Sequence, residues 1–258
     1  MVRPALAADA SPWDGGTNAA VRLIAGATPQ RAGVEIRLAP GWKTYWRYPG
    51  DSGVPPRFDF SGSLNAKSVI VRWPAPQGLK DETGISIGYK HDVVLLLDVV
   101  PRNANKPVTL RLKIDYAVCE RICVPADGKA ELTLDGAPGA LAERVSASDA
   151  KVPKPAAIGD NGPLSIRAVR REGAKVIVDV AAPTAAELFA EGPTPDWALP
   201  VPARVADPAP GLQRFTFELG GLPPNTKPDG AIDGAMLLLT AVAGEHAIEV
   251  PFRLDSPN

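Results

Sequence analysis

Cysteine, histidine and methionine are scarce in this chain, with two of each in 258 residues. A closed structural zinc site takes four Cys or His ligands, and Met1 and Met236 do not form a copper-binding run. The one metal that the sequence leaves open is a soft ion such as Cu(I), held in a linear site between the two thiolates. We therefore expect no cofactor and no metal ion as the main ligand of the protein.

Long apolar runs and an excess of basic charge are also missing. The longest apolar stretch, Val93–Val100, is interrupted by Asp98 and is far shorter than the roughly 20 residues that span a bilayer. The formal net charge is −1, with no basic stripe, which argues against nucleic acid or an anionic membrane as a partner. We expect a monomer.

The first residues of the chain suggest export. Ala5-Leu6-Ala7 is typical of the small-residue cleavage site that ends a secretory signal, although the apolar region of such a signal does not precede it. We therefore expect an exported protein whose signal peptide is absent or truncated in this sequence.

The residue pattern predicts an all-β protein. The chain has 28 prolines and 24 glycines, which is typical of many short strands joined by turns. Apolar and polar residues alternate over Val34–Leu38 and again over Val108–Val118, as in strands with one buried face. In the longer segment we expect six side chains to point inward, namely Val108, Leu110, Leu112, Ile114, Tyr116 and Val118.

The strand pattern breaks off between residues 137 and 163, a stretch rich in Ala, Pro, Gly and charge. Such a composition predicts an interdomain linker, with room for about one helical turn. A second block of strand-like pattern follows, and a chain of this length can give each of two domains its own core. We predict two β-sandwich domains in tandem, residues 13–136 and 164–258.

One motif points to a chemistry that the rest of the sequence does not support. Residues Gly50–Gly53 read GDSG, as around the nucleophile of serine proteases. That mechanism needs a histidine within hydrogen-bond reach of the serine, and we expect both His91 and His246 to lie at the surface. We interpret the motif as a rigid turn after a strand.

The two cysteines lie close together in DYAVCERICVP, residues 115–125, with three residues between them. A tight loop there can bring Cys119 and Cys123 within the roughly 4.4–6.8 Å between α-carbons that a disulfide requires. So short a ring stabilises a fold by only about 2 kcal/mol on the chain-entropy model, against more than about 4 for a loop of 100 residues. The position therefore favours a reactive disulfide at an accessible strand end, while a structural disulfide and a metal-binding thiol pair stay open.

The segment YAVCERICVP resembles the cysteine motif of the amino-terminal domain of the DsbD family of thiol:disulfide interchange proteins, in its ScsB-like variant. Matching segments precede it in the same order, GWKTYWRYPGDSGVPP from Gly41 and WPAPQGLKDETGISIGYKHDVVLLLDV from Trp73. The likeness covers about residues 13–136, and the second block is similar to the second β-sandwich of the ScsB-type periplasmic region.

This resemblance implies an immunoglobulin-like domain in the periplasm with one redox-active cysteine pair. Such a domain receives electrons from a membrane-embedded DsbD/ScsB-type reductase domain and passes them to periplasmic thioredoxin-fold proteins. It further implies that Cys123 forms the mixed disulfide with a partner and that Cys119 resolves it. Tyr45 falls where the family has an aromatic residue near the cysteines.

The resemblance also places a cap loop at residues 81–85, so that Asp81, Glu82 and Ile85 are expected near the cysteines. The sequence departs from the family pattern here, because DETGI has no aromatic side chain to shield a disulfide. Three residues separate the cysteines where the best-known family member has five. The membrane and thioredoxin-like domains of the family have no match, so we expect a freestanding module or a piece of a larger protein.

The sequence thus predicts a periplasmic thiol:disulfide exchange module, which as an enzyme is a protein-disulfide reductase. The likeness to the copper-sensitivity suppressor ScsB suggests a link to copper tolerance. The rival function is a periplasmic binding or chaperone-like protein whose disulfide is structural, or whose thiol pair binds Cu(I). The reduction potential separates them, because structural disulfides lie below about −300 mV.

Overall fold

The computed structural model describes residues 9–81, 84–135, 139–223 and 232–255 of the chain. Within these ranges it contains nineteen β-strands and one short α-helix. The all-β, immunoglobulin-like fold class predicted from the sequence is confirmed. The same ranges hold no helix that is long and apolar enough to cross a membrane.

The strands are numbered in chain order. The first eleven are β1 (Asp14–Gly15), β2 (Ala19–Ala25), β3 (Arg31–Leu38), β4 (Lys43–Gly50), β5 (Arg57–Asp59), β6 (Ala66–Arg72), β7 (Gln77–Asp81), β8 (Gly84–Tyr89), β9 (Val93–Pro101), β10 (Val108–Cys119) and β11 (Cys123–Leu134). They are followed by α1 (Ala142–Asp149), β12 (Lys154–Pro155), β13 (Ser165–Glu172), β14 (Lys175–Ala181), β15 (Glu187–Glu191), β16 (Ala203–Ala209), β17 (Leu212–Glu218), β18 (Met236–Ala243) and β19 (His246–Arg253).

The chain forms two compact units whose segments alternate along the sequence. The first unit takes in the described residues up to Arg47, then Val54–Pro76 and Gly88–Val152. The second unit takes in Tyr48–Gly53, Gln77–Ile87 and the described residues from Pro153 onward.

One sheet of the first unit has the strand order β1-β2-β3-β9-β6, with all neighbours antiparallel. Strands β2 and β3 are buried over nearly their whole length, because helix α1 packs against one face of this sheet. Val145 of the helix contacts Ile24, Val94 and Leu96, and the Ser148 hydroxyl donates a hydrogen bond to the Val94 carbonyl.

Helix α1 lies inside the stretch that was predicted as a linker, residues 137–163, and it belongs to the first unit. It spans eight residues, about two turns, where the sequence suggested about one. The boundaries expected from the sequence, 13–136 and 164–258, stay predictions.

The second sheet has the strand order β11-β10-β4-β8-β7, and β5 pairs with β10. The alternation predicted for β10 is confirmed, since its inward side chains are at most 3% exposed and the charged residues between them are exposed. The buried set consists of Val108, Leu110, Leu112, Ile114, Tyr116 and Val118.

The second unit contains two four-stranded sheets, β12-β19-β18-β15 and β13-β14-β17-β16. Its own apolar core includes Val178, Trp197, Phe215 and Leu239. The two segments that come from the first half of the chain are bound to it by hydrogen bonds. The Tyr48 hydroxyl donates to the Leu199 carbonyl at 3.0 Å, and the Gly78 N–H donates to the Glu187 carboxylate at 2.9 Å.

Candidate redox site

The hairpin of β10 and β11 carries both cysteines at its tip. The strands pair residue for residue from Val108 opposite Leu134 to Cys119 opposite Cys123, and the three residues 120–122 close the turn. A disulfide joins the two cysteines, whose α-carbons are 4.1 Å apart. This separation lies just below the roughly 4.4–6.8 Å that is usual for a disulfide, because the two residues are directly opposite each other in antiparallel strands.

The two bonded cysteines differ in exposure. Cys119 is only 5% exposed and packs against Tyr45 and Ala117. Cys123 is exposed. The strand order explains the difference, because β10 lies between β11 and β4 while β11 is at the edge of the sheet. An incoming sulfur can therefore approach Cys123, whereas Cys119 is covered.

Tyr45 of β4 reaches the same disulfide. Its hydroxyl oxygen is 3.0 Å from Cys123 Sγ, and its side chain is 1% exposed. A disulfide sulfur carries no hydrogen, so the hydroxyl donates this hydrogen bond. The structure thus brings together Tyr45, Cys119 and Cys123, three residues that the sequence analysis singled out.

The position of Tyr45 is set by its neighbours in the sheet. The Thr44 hydroxyl donates to the Ala117 carbonyl at 2.9 Å, and Thr44 lies opposite Val118. On the other side, Gly88 of β8 approaches so closely that a Cβ atom there would be 2.0 Å from the Thr44 carbonyl oxygen. Gly88 was not among the residues predicted for the site, although a glycine inside a strand pattern indicates close backbone approach.

The Tyr45 hydroxyl can affect the charge state of Cys123. A hydrogen bond to the charged form of a group favours that form, so a hydroxyl in this position can stabilise a thiolate on Cys123 once the disulfide is reduced. Thiolate is the nucleophile in thiol–disulfide exchange. A partner's sulfur can therefore bond to Cys123 Sγ. When that bond breaks, the Tyr45 hydroxyl can stabilise the negative charge on Cys123.

Two of the residues predicted for the cap fall in strands β7 and β8. Asp81 ends β7 and is exposed, and Ile85 lies in β8. Both belong to the second unit, where Asp51 and Ile85 exchange two hydrogen bonds of 3.1 Å, one from each backbone N–H. Glu82 lies outside the described residues. A role of these residues as a cap stays a prediction.

The protease-like GDSG segment covers the end of β4 and the turn after it. Gly50 and Gly53 both have positive φ angles, 79° and 146°, which glycine adopts at little cost. His91 and His246 are exposed and belong to different units. In the part of the chain that the structure describes, no three His, Cys, Asp or Glu side chains are grouped as a metal site requires.

Comparison with known proteins agrees with this geometry. Residues 16–135 match the family described as thiol:disulfide interchange protein DsbD, N-terminal. The structure is similar to the crystal structure of the N-terminal periplasmic domain of ScsB from Proteus mirabilis, with a TM-score of 0.76 and 20% sequence identity. That match covers 96% of this chain and 99% of the other, and at this identity it shows the fold. No curated protein matches the sequence.

Proposed function

We propose that the chain is a thiol:disulfide exchange module whose reactive group is the Cys119–Cys123 disulfide, a proposal supported by the match of residues 16–135 to the family of DsbD amino-terminal domains. The observation that carries the proposal is the asymmetry of the two sulfurs. Cys123 is exposed and accepts a hydrogen bond from Tyr45, while Cys119 is buried. A purely structural disulfide needs no such difference.

The exchange proceeds in two steps that balance. A thiolate of a reduced partner attacks Cys123 Sγ, a new disulfide forms between them, and Cys119 leaves as a thiolate that takes up a proton. The partner's second thiol then attacks the partner's own sulfur in the mixed disulfide, and Cys123 leaves as a thiolate. The partner ends as a disulfide, and the Cys119–Cys123 pair ends as a dithiol.

The same steps in reverse pass the electrons on. The Cys123 thiolate attacks the disulfide of an oxidised partner, and Cys119 resolves the mixed disulfide by attacking Cys123. Cys123 is thus the sulfur that contacts partners in both directions, and Cys119 is the resolving sulfur.

The family match and the name of the similar structure support the partners and the compartment that we propose. We assign the donor to a membrane-embedded reductase domain of the DsbD/ScsB type, and the acceptors to thioredoxin-fold proteins. The similar structure is named a periplasmic domain, and a disulfide persists in an oxidising compartment such as the periplasm. We therefore assign the chain to the periplasm, where its enzymatic class is protein-disulfide reductase.

The reduction potential of the pair tests this function. The protein is equilibrated in glutathione buffers of graded ratio, and the fraction of free thiols is measured by alkylation after acid quenching. We expect a midpoint well above about −300 mV, as for labile exchange disulfides. The Cys119→Ser, Cys123→Ser double variant is the control and should show no labelling at any ratio. A midpoint below about −300 mV favours the rival function, a binding module with a structural disulfide.

A further inference from the structure

Ile122 has the greatest exposure of any large apolar side chain among the described residues. Its exposed fraction is 75%, while the next highest, that of Ile70, is 55%. A single exposed aliphatic side chain is ordinary on a protein surface and needs no explanation by itself. Ile122, however, immediately precedes the exposed sulfur of Cys123.

The hairpin tip presents this side chain outward. Of the three residues that close the hairpin, Glu120 lies back beside Gly41, where a Cβ atom would be 3.4 Å from the glutamate Oε1. Arg121 is exposed and charged. Ile122 is therefore the apolar group that projects from the tip next to Cys123.

Exchange brings a partner's surface onto this side chain. In a mixed disulfide the partner's sulfur is bonded to Cys123 Sγ at about 2.05 Å, and consecutive α-carbons are only about 3.8 Å apart. The surface around the partner's reactive cysteine must therefore lie close to Ile122. An apolar side chain there gains free energy only if the surface that covers it is apolar too.

We propose that Ile122 is the docking contact of this module. Its side chain fits into an apolar depression beside the reactive cysteine of a thioredoxin-fold protein. The proposal rests on the exchange function proposed above. A hydrophobic contact suits a relay because it is non-directional, so the same side chain can dock on a donor and on an acceptor. A contact made by one side chain is also small enough for either partner to dissociate quickly.

Kinetics with a protein and with a small thiol separate docking from chemistry. The second-order rate constant for reduction of the Cys119–Cys123 disulfide is measured with reduced thioredoxin and with glutathione as probes. Loss of one buried aliphatic contact should slow the thioredoxin reaction of Ile122→Ala roughly tenfold. The glutathione reaction should stay within about twofold of wild type, because the disulfide itself is unchanged.

Two further variants complete the design. Ile122→Leu keeps the apolar volume and should react with thioredoxin at nearly the wild-type rate. Ile70→Ala removes the same side chain from an exposed position on β6 and should leave both rates unchanged. The two alanine variants thus differ only in whether the lost isoleucine adjoins the cysteines.

The possible results distinguish the docking contact from the function on which it rests. If Ile122→Ala reacts with thioredoxin as fast as wild type, or slows equally with glutathione, the docking contact is wrong and the exchange function stands. If wild-type protein reacts with thioredoxin no faster than with glutathione at equal thiol concentration, both proposals are wrong.

Discussion

The two units of this chain bury a carboxylate in the same way, but the cysteine pair lies in the first unit alone. In each unit one buried carboxylate lies between two arginines, and in each case one arginine is directly opposite it on the neighbouring strand. The sets are Glu35 with Arg22 and Arg144 in the first unit, and Asp179 with Arg214 and Arg170 in the second. Because this arrangement of charges recurs in both units, we interpret it as structural. The two cysteines, in contrast, lie in one hairpin of the first unit.

Removal of the carboxylate in the second unit should have the largest effect on stability. The Arg214 guanidinium, with hydrogen bonds of 2.6 and 2.9 Å, holds the pKa of the Asp179 carboxyl below its usual range, and Arg170 adds to this. We expect Asp179→Asn to lower the free energy of unfolding by about 2 to 3 kcal/mol at pH 7, less than for a fully buried pair because both arginines are partly exposed. Urea unfolding measures the loss.

The same substitution has a defined pH dependence. A carboxyl whose folded pKa is depressed stabilises the fold above its unfolded pKa, and this contribution is lost as pH falls through the folded value. The difference between wild type and Asp179→Asn should therefore shrink below about pH 4. Glu35→Gln is the matched variant in the first unit. Neither should slow the reaction of the disulfide with glutathione, and a slower reaction would contradict the separation of stability from chemistry.

Removal of the disulfide should have the next largest effect. The Cys119→Ser, Cys123→Ser double variant should lose about 2 kcal/mol or less, because the ring that it opens is short. We expect a cooperative thermal transition at a slightly lower temperature, with all exchange activity gone. If the first unit is unfolded at room temperature instead, the disulfide is a structural cross-link.

Loss of the hydroxyl at Tyr45 should change reactivity with little change in packing. Tyr45→Phe keeps the ring against Ala117 and Cys119 but removes the donor to Cys123. Since that hydrogen bond favours the thiolate, we expect the pKa of the reduced Cys123 thiol to be higher in the variant. A hydrogen bond to a charged group is worth about 1.5 kcal/mol or more. Because a thiolate of higher pKa is also more nucleophilic, alkylation of Cys123 at pH 7 should slow roughly threefold in a Cys119→Ser background.

A control for this variant lies in the same strand. Tyr48 also ends in a partly buried hydrogen bond, but it donates to Leu199 in the second unit. Tyr48→Phe should leave the alkylation rate and its pH profile unchanged. The role assigned to Tyr45 is wrong if its phenylalanine variant has the same pH profile as wild type.

The smallest effect is expected at Glu187, which holds the β7 segment in the second unit. Partial desolvation raises the pKa of this carboxyl, and the hydrogen bond from Gly78 opposes the shift. Glu187 as a whole is exposed, however, so solvent screens most of the effect on stability. A raised folded pKa means that ionisation costs stability as pH rises above the unfolded value. Glu187→Gln keeps an acceptor for Gly78 and should gain no more than about 0.5 kcal/mol at pH 7, with no gain at pH 3. A loss at pH 7 would contradict this account.

Local patterns in the sequence were enough to predict the strand that carries the site. The alternation over β10 identifies its buried face because the period of a strand depends only on neighbouring residues. The close spacing of Cys119 and Cys123 likewise indicates a hairpin end. These features need no knowledge of which other strands are nearby.

The features that local patterns do not reveal depend on contacts distant in sequence. Tyr45 meets Cys123 across 78 positions, and only the family resemblance pointed to it. The unequal exposure of the cysteines follows from β11 being an edge strand, which is a property of the whole sheet. Helix α1 is short, and its burial comes from packing of Val145 on Ile24 and Leu96, so its own sequence signals it weakly.

Trapping of the mixed disulfide tests the central claim most directly, that Cys123 is the sulfur which meets the partner. The single variants Cys119→Ser and Cys123→Ser are mixed with a thioredoxin that keeps only its exposed cysteine, activated as a mixed disulfide with a small thiol, and the products are separated by non-reducing electrophoresis. We predict that Cys119→Ser accumulates a covalent complex, since its exposed Cys123 can attack the activated sulfur, the small thiol leaves, and neither protein keeps a second thiol to resolve the bond. Cys123→Ser should trap little, because Cys119 is buried. Equal or greater trapping by Cys123→Ser would contradict the account.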